Sequence, residues 1–101
     1  MSEYSQQFCI SRTHPSLSGH FPGNPIVPGV IILDYVQLTL QHWQKAAYIK
    51  TFVQVKFLQP LAPEQSFTIF LKQVSTELCK FTCASETQKF VVGSFIFTEP
   101  R

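Results

Sequence analysis

The longest apolar segment of the chain has the length and the boundaries of one helix. From Val30 to Ala47 the sequence VIILDYVQLTLQHWQKAA contains neither glycine nor proline, and Pro28 stands where a helix is expected to begin. Apolar residues in its first two turns fall on every side, a pattern typical of a helix that protein surrounds. We therefore predict one long buried helix over about residues 29–47, with a polar end that emerges into solvent.

Shorter apolar runs before and after this helix predict strands. A first strand is expected at residues 7–11, and after the helix the apolar period falls to two in four further runs. These runs cover residues 52–58, 66–74, 77–84 and 89–98. The residues expected to share an apolar face are Val53, Val55 and Phe57 in the first of them and Phe67, Ile69 and Leu71 in the second.

The segment between the first strand and the helix, residues 14–29, cannot be regular structure, because its four prolines remove hydrogen-bond donors and restrict their neighbours. We expect an ordered loop there. Short turn-like segments separate the later strands, which favours an antiparallel sheet. The predicted fold class is α+β, with a single domain over residues 1–101 in which a sheet of about five strands wraps around the central helix.

The composition indicates that the predicted domain assembles with further subunits. Hydrophobic residues make up 45% of the 101 residues and charged residues only 14%, more apolar surface than a lone domain of this size needs, so a homodimer or larger homo-oligomer is expected. The net charge of +2 and the scattered basic residues give no basis for a nucleic-acid partner. The N-terminus has no export pattern and no run is long enough to span a membrane, so we expect a cytoplasmic location.

The three cysteines, Cys9, Cys79 and Cys83, form no CxxC pair. Cys79 and Cys83 are four residues apart on a predicted strand, which places them about 13 Å from each other and beyond disulfide reach. We expect all three to be reduced and buried, as small apolar side chains.

The only aspartate, Asp34, lies in the most apolar part of the helix, IILDYV. Taken alone, it is explained equally well as a functional acid and as a buried hydrogen-bond anchor. His20, in the proline-rich loop, is by itself more easily explained as a histidine that backbone groups satisfy. Together the two residues provide a base and an acid for proton transfer.

Gly29 adds a third element, because an amide at a helix N-terminus lacks an intrahelical partner and can hold a carbonyl oxygen. A thioester bound there would have a more acidic α-proton. Asp34 lies five residues further on, about 7.5 Å along the helix axis. The spacing leaves open whether both groups serve one pocket within a chain or across two chains.

The segment that contains these three residues, GHFPGNPIVPGVIILD from Gly19 to Asp34, closely resembles the signature of the β-hydroxyacyl carrier-protein dehydratases of bacterial fatty-acid synthesis. The likeness includes the FPG that follows His20, the PG pair at the helix start and an acid fourteen residues after the histidine. KFLQPLAP, from Lys56 to Pro63, resembles the family's segment after the helix. The short form HPSLSGHFPG looks more like the small dehydratases of aryl-polyene-type pathways.

This resemblance implies a hot-dog fold in which two chains pair edge to edge and each active site forms at their interface. It implies His20 and the partner chain's Asp34 as catalytic residues and the Gly29 amide as the oxyanion donor. The implied partner is acyl carrier protein bearing a 3-hydroxyacyl thioester. No cofactor is expected, and the three histidines show no metal-ligand spacing. Candidate substrate-binding residues are Phe21, Val27, Pro28 and Ile31, although core packing explains Phe21, Val27 and Ile31 equally well.

Three features depart from the family pattern. Only 19 residues precede His20, fewer than in the fatty-acid enzymes. Position 38 is a leucine where the family has a glutamine, and Gln37 stands one place early, so we do not transfer that glutamine's role. Glu64 replaces the glycine that usually follows the second proline, which predicts an altered turn.

The leading functional hypothesis is dehydration of 3-hydroxyacyl groups on acyl carrier protein to trans-2-enoyl groups, in fatty-acid or aryl-polyene-type lipid biosynthesis. One alternative is thioester hydrolysis on the same fold, in which the acid activates water. Another is a non-catalytic subunit that binds carrier protein or stabilises a hot-dog partner. The chain has both His20 and Asp34, which favours the two enzyme hypotheses over the non-catalytic subunit.

Overall fold

A computed structural model of the chain describes residues 2–13 and 26–98. It contains one helix and five strands, in the order β1 (Glu3–Cys9), α1 (Gly29–Trp43), β2 (Tyr48–Phe57), β3 (Ser66–Gln73), β4 (Leu78–Ala84) and β5 (Lys89–Thr98). All neighbouring strands are antiparallel, in the sheet order β1-β3-β4-β5-β2. The α+β prediction, with one helix against a five-stranded antiparallel sheet, is therefore confirmed.

The core lies between α1 and the inner face of the sheet. The predicted alternation in β3 is confirmed, since Phe67, Ile69 and Leu71 are all buried. Phe67 also joins three elements, because its ring lies against Phe8 of β1 at 5.9 Å and Tyr35 of α1 at 6.0 Å between centroids. These contacts hold the helix against β1 and β3.

The prediction that protein surrounds α1 is wrong for the single chain. One face of the helix, with Ile32, Val36 and Leu40, is buried, but Val30 is 67% exposed and Leu38 is 36% exposed. With Asp34, these two residues form a stripe at every fourth position, which we call the α1 stripe. A sheet of this size covers only one side of a helix, so the apolar residues on the other side are left uncovered.

The helix ends at Trp43, four residues before the predicted end. Its last turn closes with a hydrogen bond from Gln44 N–H to the Leu40 carbonyl at 2.7 Å, and Ala47 N–H donates to the Gln44 carbonyl at 2.9 Å. Ala47 is buried and Tyr48 already pairs with Thr98 of β5. Pairing with β5 thus begins β2 four residues before its predicted start and shortens the helix.

Strand β2 does not keep the predicted period of two. Register shifts between Ile49 and Thr51 and between Phe52 and Gln54 insert extra residues relative to β5. Ile49, Phe52 and Val55 consequently pack against the core, and Val53 is 59% exposed. The prediction that Val53 shares the apolar face of Val55 is wrong because of these two bulges. Strand β2 is an edge of the described sheet.

The remaining strand predictions differ from the structure by small amounts. Strand β1 covers Glu3–Cys9 instead of residues 7–11, because its pairing with β3 begins at Glu3 opposite Lys72. Strands β3 and β4 match within one residue and β5 matches at both ends. No helix in residues 2–13 and 26–98 is long and apolar enough to cross a membrane.

The cysteines fall into two environments. Cys79 and Cys83 are buried on the inner face of β4, as predicted, and burial raises the pKa of the Cys79 thiol to about 11 and that of the Cys83 thiol to about 12. Cys9 at the end of β1 is exposed, so the prediction that it is buried is wrong. All three are free thiols.

Candidate active site

The start of α1 presents a backbone donor, the N–H of Gly29. Pro28 precedes the helix with no side-chain cap, and its carbonyl accepts hydrogen bonds from Ile31 N–H at 3.0 Å and Ile32 N–H at 3.4 Å. No acceptor for Gly29 N–H is found among the residues that the structure describes. The first amides of a helix carry partial positive charge, so this N–H is suited to an oxygen that becomes negative during a reaction.

Gly29 lines an open apolar cavity of about 300 Å³. Its described lining comes from the helix start, the segment before it and the segment after β2: Ile26, Val27, Gly29, Ile32, Phe57, Leu58, Gln59, Pro60 and Leu61. The two backbone segments are tied together, since Val27 N–H donates to the Leu61 carbonyl at 2.8 Å. An acyl chain whose carbonyl oxygen bound Gly29 N–H would therefore have apolar surface beside it.

Phe57, the last residue of β2, lies directly against Gly29. A methyl group added at position 29 would stand 2.5 Å from Cε1 and 2.7 Å from Cζ of this ring, so the ring would have to move aside to admit it. The sequence pattern predicts Phe57 on a strand but not in the site. The signal was present in KFLQPLAP, the second stretch that resembles the dehydratases, which contains Phe57 and four other lining residues.

Asp34 is exposed in the single chain, which corrects the expectation of a carboxylate within an apolar environment. At 100° per residue, five residues turn Asp34 about 140° around the helix from Gly29. It is not among the described residues that line the Gly29 cavity, and it lies in the middle of the α1 stripe. Within one chain, the structure therefore does not bring Asp34 and the Gly29 cavity together.

The structure supports only some of the other predictions of site residues. His20 and Phe21 lie outside the described residues, and their roles stay predictions. Val27 is buried and lines the cavity, whereas Ile31 is only half-buried and Ile32 takes the lining position beside Gly29. Pro28 contributes its carbonyl to the first turn of the helix.

Gln37 connects α1 to the beginning of β2. Its Oε1 accepts a hydrogen bond from Ile49 N–H at 2.8 Å, while its buried Nε2 has no partner among the described residues. Leu38, where the dehydratases usually have a glutamine, lies on the exposed side of the helix instead. Gln37 thus holds the start of β2 against α1, a contact that the sequence pattern does not predict.

Glu64 keeps a backbone conformation that suits the glycine it replaces. Its φ is 68°, in the left-handed region. Two hydrogen bonds hold it there: Glu64 N–H donates to the Ile10 carbonyl at 2.8 Å, and Oε2 accepts from Arg12 N–H at 2.9 Å. The turn is thus anchored to the residues that follow β1.

Residues 1–94 match the model of the ApeI-like family, described as ApeI dehydratase. The chain belongs to the ApeI-like dehydratase family. Among curated proteins, this ApeI-like chain is similar to the 3-hydroxyacyl-(acyl-carrier-protein) dehydratase FabZ of Ehrlichia chaffeensis, with 29% identity over 92 residues and 83% of the chain covered. The chain spans 64% of the length of that relative.

Solved structures agree with the fold of the ApeI-like chain. The dehydratase heterocomplex ApeI:P from Xenorhabdus doucetiae matches with a TM-score of 0.83 at 24% identity, covering 96% of this chain and 88% of the other. A 1,4-dihydroxy-2-naphthoyl-CoA thioesterase from Synechocystis matches with a TM-score of 0.65 at 10% identity, covering 99% and 85%. At these identities the likeness shows the hot-dog fold alone.

Proposed function

We propose that this ApeI-like protein is an enzyme that removes water from 3-hydroxyacyl groups carried as thioesters on acyl carrier protein, leaving trans-2-enoyl groups. The observation that carries the proposal is the Gly29 amide, a helix-start donor that lines an apolar cavity and has no acceptor within residues 2–13 and 26–98. Membership of a dehydratase family and the spacing from His20 to Asp34 support it. The pathway we propose is bacterial fatty-acid or aryl-polyene-type lipid biosynthesis, which places the enzyme in the cytoplasm.

In the proposed reaction the Gly29 N–H holds the thioester carbonyl oxygen. Its partial positive charge stabilises the negative charge that develops on that oxygen as the α-proton leaves. His20 removes this proton from C2, and Asp34 protonates the hydroxyl that departs from C3 as water. The elimination needs a base, an acid and one N–H donor, so it requires no cofactor.

Two chains are needed to complete this site. The Gly29 cavity lacks Asp34 within the described part of one chain, while Asp34 lies among the uncovered apolar residues of the α1 stripe. Strand β2 is a sheet edge that exposes Val53 on the same molecule. We propose that a second copy covers the stripe and the β2 edge, and that Asp34 of each copy serves the cavity of the other. The heterocomplex formed by the Xenorhabdus relative makes a different hot-dog chain the alternative partner.

The test is a direct assay with a 3-hydroxyacyl group on acyl carrier protein, in which enoyl product and free thiol are both measured. The wild type should form enoyl product, and His20→Ala and Asp34→Asn should each abolish it. His42→Gln and Glu86→Gln are matched controls, since both alter exposed residues away from the cavity and should retain activity. Thiol release without enoyl product would instead indicate a thioesterase, and absence of turnover both alone and with a hot-dog partner chain added would indicate a binding subunit.

Mixing the two inactive variants tests the shared site. When equal amounts of His20→Ala and Asp34→Asn chains are unfolded together and refolded, half of the dimers are mixed. Each mixed dimer contains one site with both native residues. Activity should therefore return to about a quarter of the wild-type value for a two-fold dimer with shared sites. If both residues served a site within one chain, mixing would restore nothing, and the proposed exchange of Asp34 would be wrong.

A further inference from the structure

The cavity beside Gly29 is bounded on one side by the ring of Phe57. The ring is so close that a Cβ at position 29 would overlap its Cε1 and Cζ atoms, at 2.5 and 2.7 Å. These separations are far inside the 3.5–4.0 Å range of ordinary carbon contacts. The ring therefore fills the space that a side chain at position 29 would take, directly beside the amide that binds the carbonyl oxygen in the proposed function.

The backbone on both sides of Phe57 is held by β5. Phe57 itself pairs with Val91 in the ladder between β2 and β5. The next two residues, Leu58 and Gln59, donate their N–H groups to the carbonyl of buried Phe90, at 2.8 and 3.3 Å. The ring is nevertheless 58% exposed, so core packing in the single chain does not account for an aromatic side chain here.

We propose that Phe57 is a specificity-determining residue that selects acyl groups with no branch at C2. This inference rests on the proposed function, because it takes the thioester carbonyl to be bound by Gly29 N–H. An oxygen in that hydrogen bond lies about 2.9 Å from the amide nitrogen. C2 is joined to the same carbonyl carbon, so a methyl group on C2 has to share the space next to Gly29 with the Phe57 ring.

The primary experiment compares 3-hydroxybutanoyl and 2-methyl-3-hydroxybutanoyl thioesters on acyl carrier protein. Both retain a proton on C2, so both can lose water. The wild type should prefer the unbranched substrate by about 10–200-fold in kcat/KM, the discrimination that one methylene produces in a tight apolar site. Phe57→Ala should reduce this preference at least about tenfold, chiefly by lowering KM for the branched substrate.

Phe70→Ala is the matched control for this variant. Phe70 is also an exposed phenylalanine on a strand, with 48% of its surface exposed. It points away from the core face of β3 and lies beside β1, not beside Gly29. Its removal should leave the ratio of the two kcat/KM values unchanged. If Phe57→Ala does not fold, Phe57→Leu keeps an apolar side chain without the ring and should lower the preference in the same direction.

A second measurement tests the contact between position 29 and Phe57. Gly29→Ala should lower kcat/KM for the unbranched substrate, because the new methyl group and the ring cannot occupy their places together. The same substitution in a Phe57→Ala background should cost at least about tenfold less, since the ring is gone. Equal losses in the two backgrounds would contradict the steric contact.

The outcomes separate this inference from the proposed function. A wild type that does not dehydrate the unbranched substrate refutes the proposed function itself. A wild type that does so, with Phe57→Ala and Phe57→Leu showing an unchanged preference, overturns only the role of Phe57. An equal fall in kcat/KM for both substrates would show that the ring serves folding or assembly, and would also overturn it.

Discussion

Adding a methyl group at Gly93, in the middle of β5, should lower the free energy of unfolding about as much as truncating a large core residue does. It pairs with Val55 of β2 on one side and Phe81 of β4 on the other. A Cβ at position 93 would overlap the backbone carbonyl oxygen of Gln54 and lie 2.9 Å from the Phe81 ring. Because the first obstacle is backbone, the clash can be relieved only by moving β2 away from β5.

The expected cost of Gly93→Ala follows from this geometry. Overpacking a core with one methyl group costs about 1–3 kcal/mol, and a clash with backbone belongs at the upper end, so we expect a loss of about 3 kcal/mol in the free energy of unfolding. For a domain of about 100 residues this corresponds to a fall in Tm of roughly 12–24 °C. Urea and thermal unfolding at one fixed protein concentration measure both quantities.

Ser94→Ala is the control for this substitution, because it changes the neighbouring residue on the opposite face of the same strand. It should alter the free energy of unfolding by no more than about 0.5 kcal/mol. If Gly93→Ala were equally mild, the approach of β2 to β5 at Gln54 would have to be looser than the structure indicates.

Three further predictions concern the core, the uncovered helix face and the thiols. Leu40→Ala, at a fully buried position of α1, should lower the free energy of unfolding by about 2–5 kcal/mol in urea titrations. Leu38→Asp should leave the chain folded but shift its mass by light scattering from dimer to monomer, and an unchanged mass would argue against the α1 stripe as the subunit interface. In the folded protein Cys9 should react with a maleimide, while Cys79 and Cys83 should react only after unfolding. Their folded pKa values of about 11 and about 12 exceed the value of 9.0 for a free thiol, so the unfolded chain loses these protons first. The contribution of these two thiols to stability should therefore be constant well below pH 9.0 and should become unfavourable as pH rises from there towards those values. A double Cys79→Ala, Cys83→Ala variant should lack this alkaline loss.

Much of this protein could be predicted from local patterns along the chain. The apolar run after Pro28 predicts the helix start because nothing in the run competes with helix formation, and Gly29 is therefore where its unpaired amide is expected. Period-two alternation predicts β3 because this strand buries one face along its whole length, and it predicts β5 because Val91, Phe95 and Phe97 are buried on one face. The spacing from His20 to Asp34 predicts the dehydratase family, which the match over residues 1–94 confirms.

The remaining features of the fold and the site depend on contacts between residues distant in sequence, which local patterns do not predict. Pairing of Tyr48 with Thr98 ends the helix at Trp43, and the bulges in β2 turn Val53 outward against its alternation. Phe57 reaches Gly29 because β5 holds the end of β2 beside the helix start. Asp34 shows most clearly which properties the sequence determines and which the tertiary structure determines. Its identity and spacing are properties of the sequence, but only the helix rotation and the single-sided sheet place it on an uncovered face, away from the cavity of its own chain.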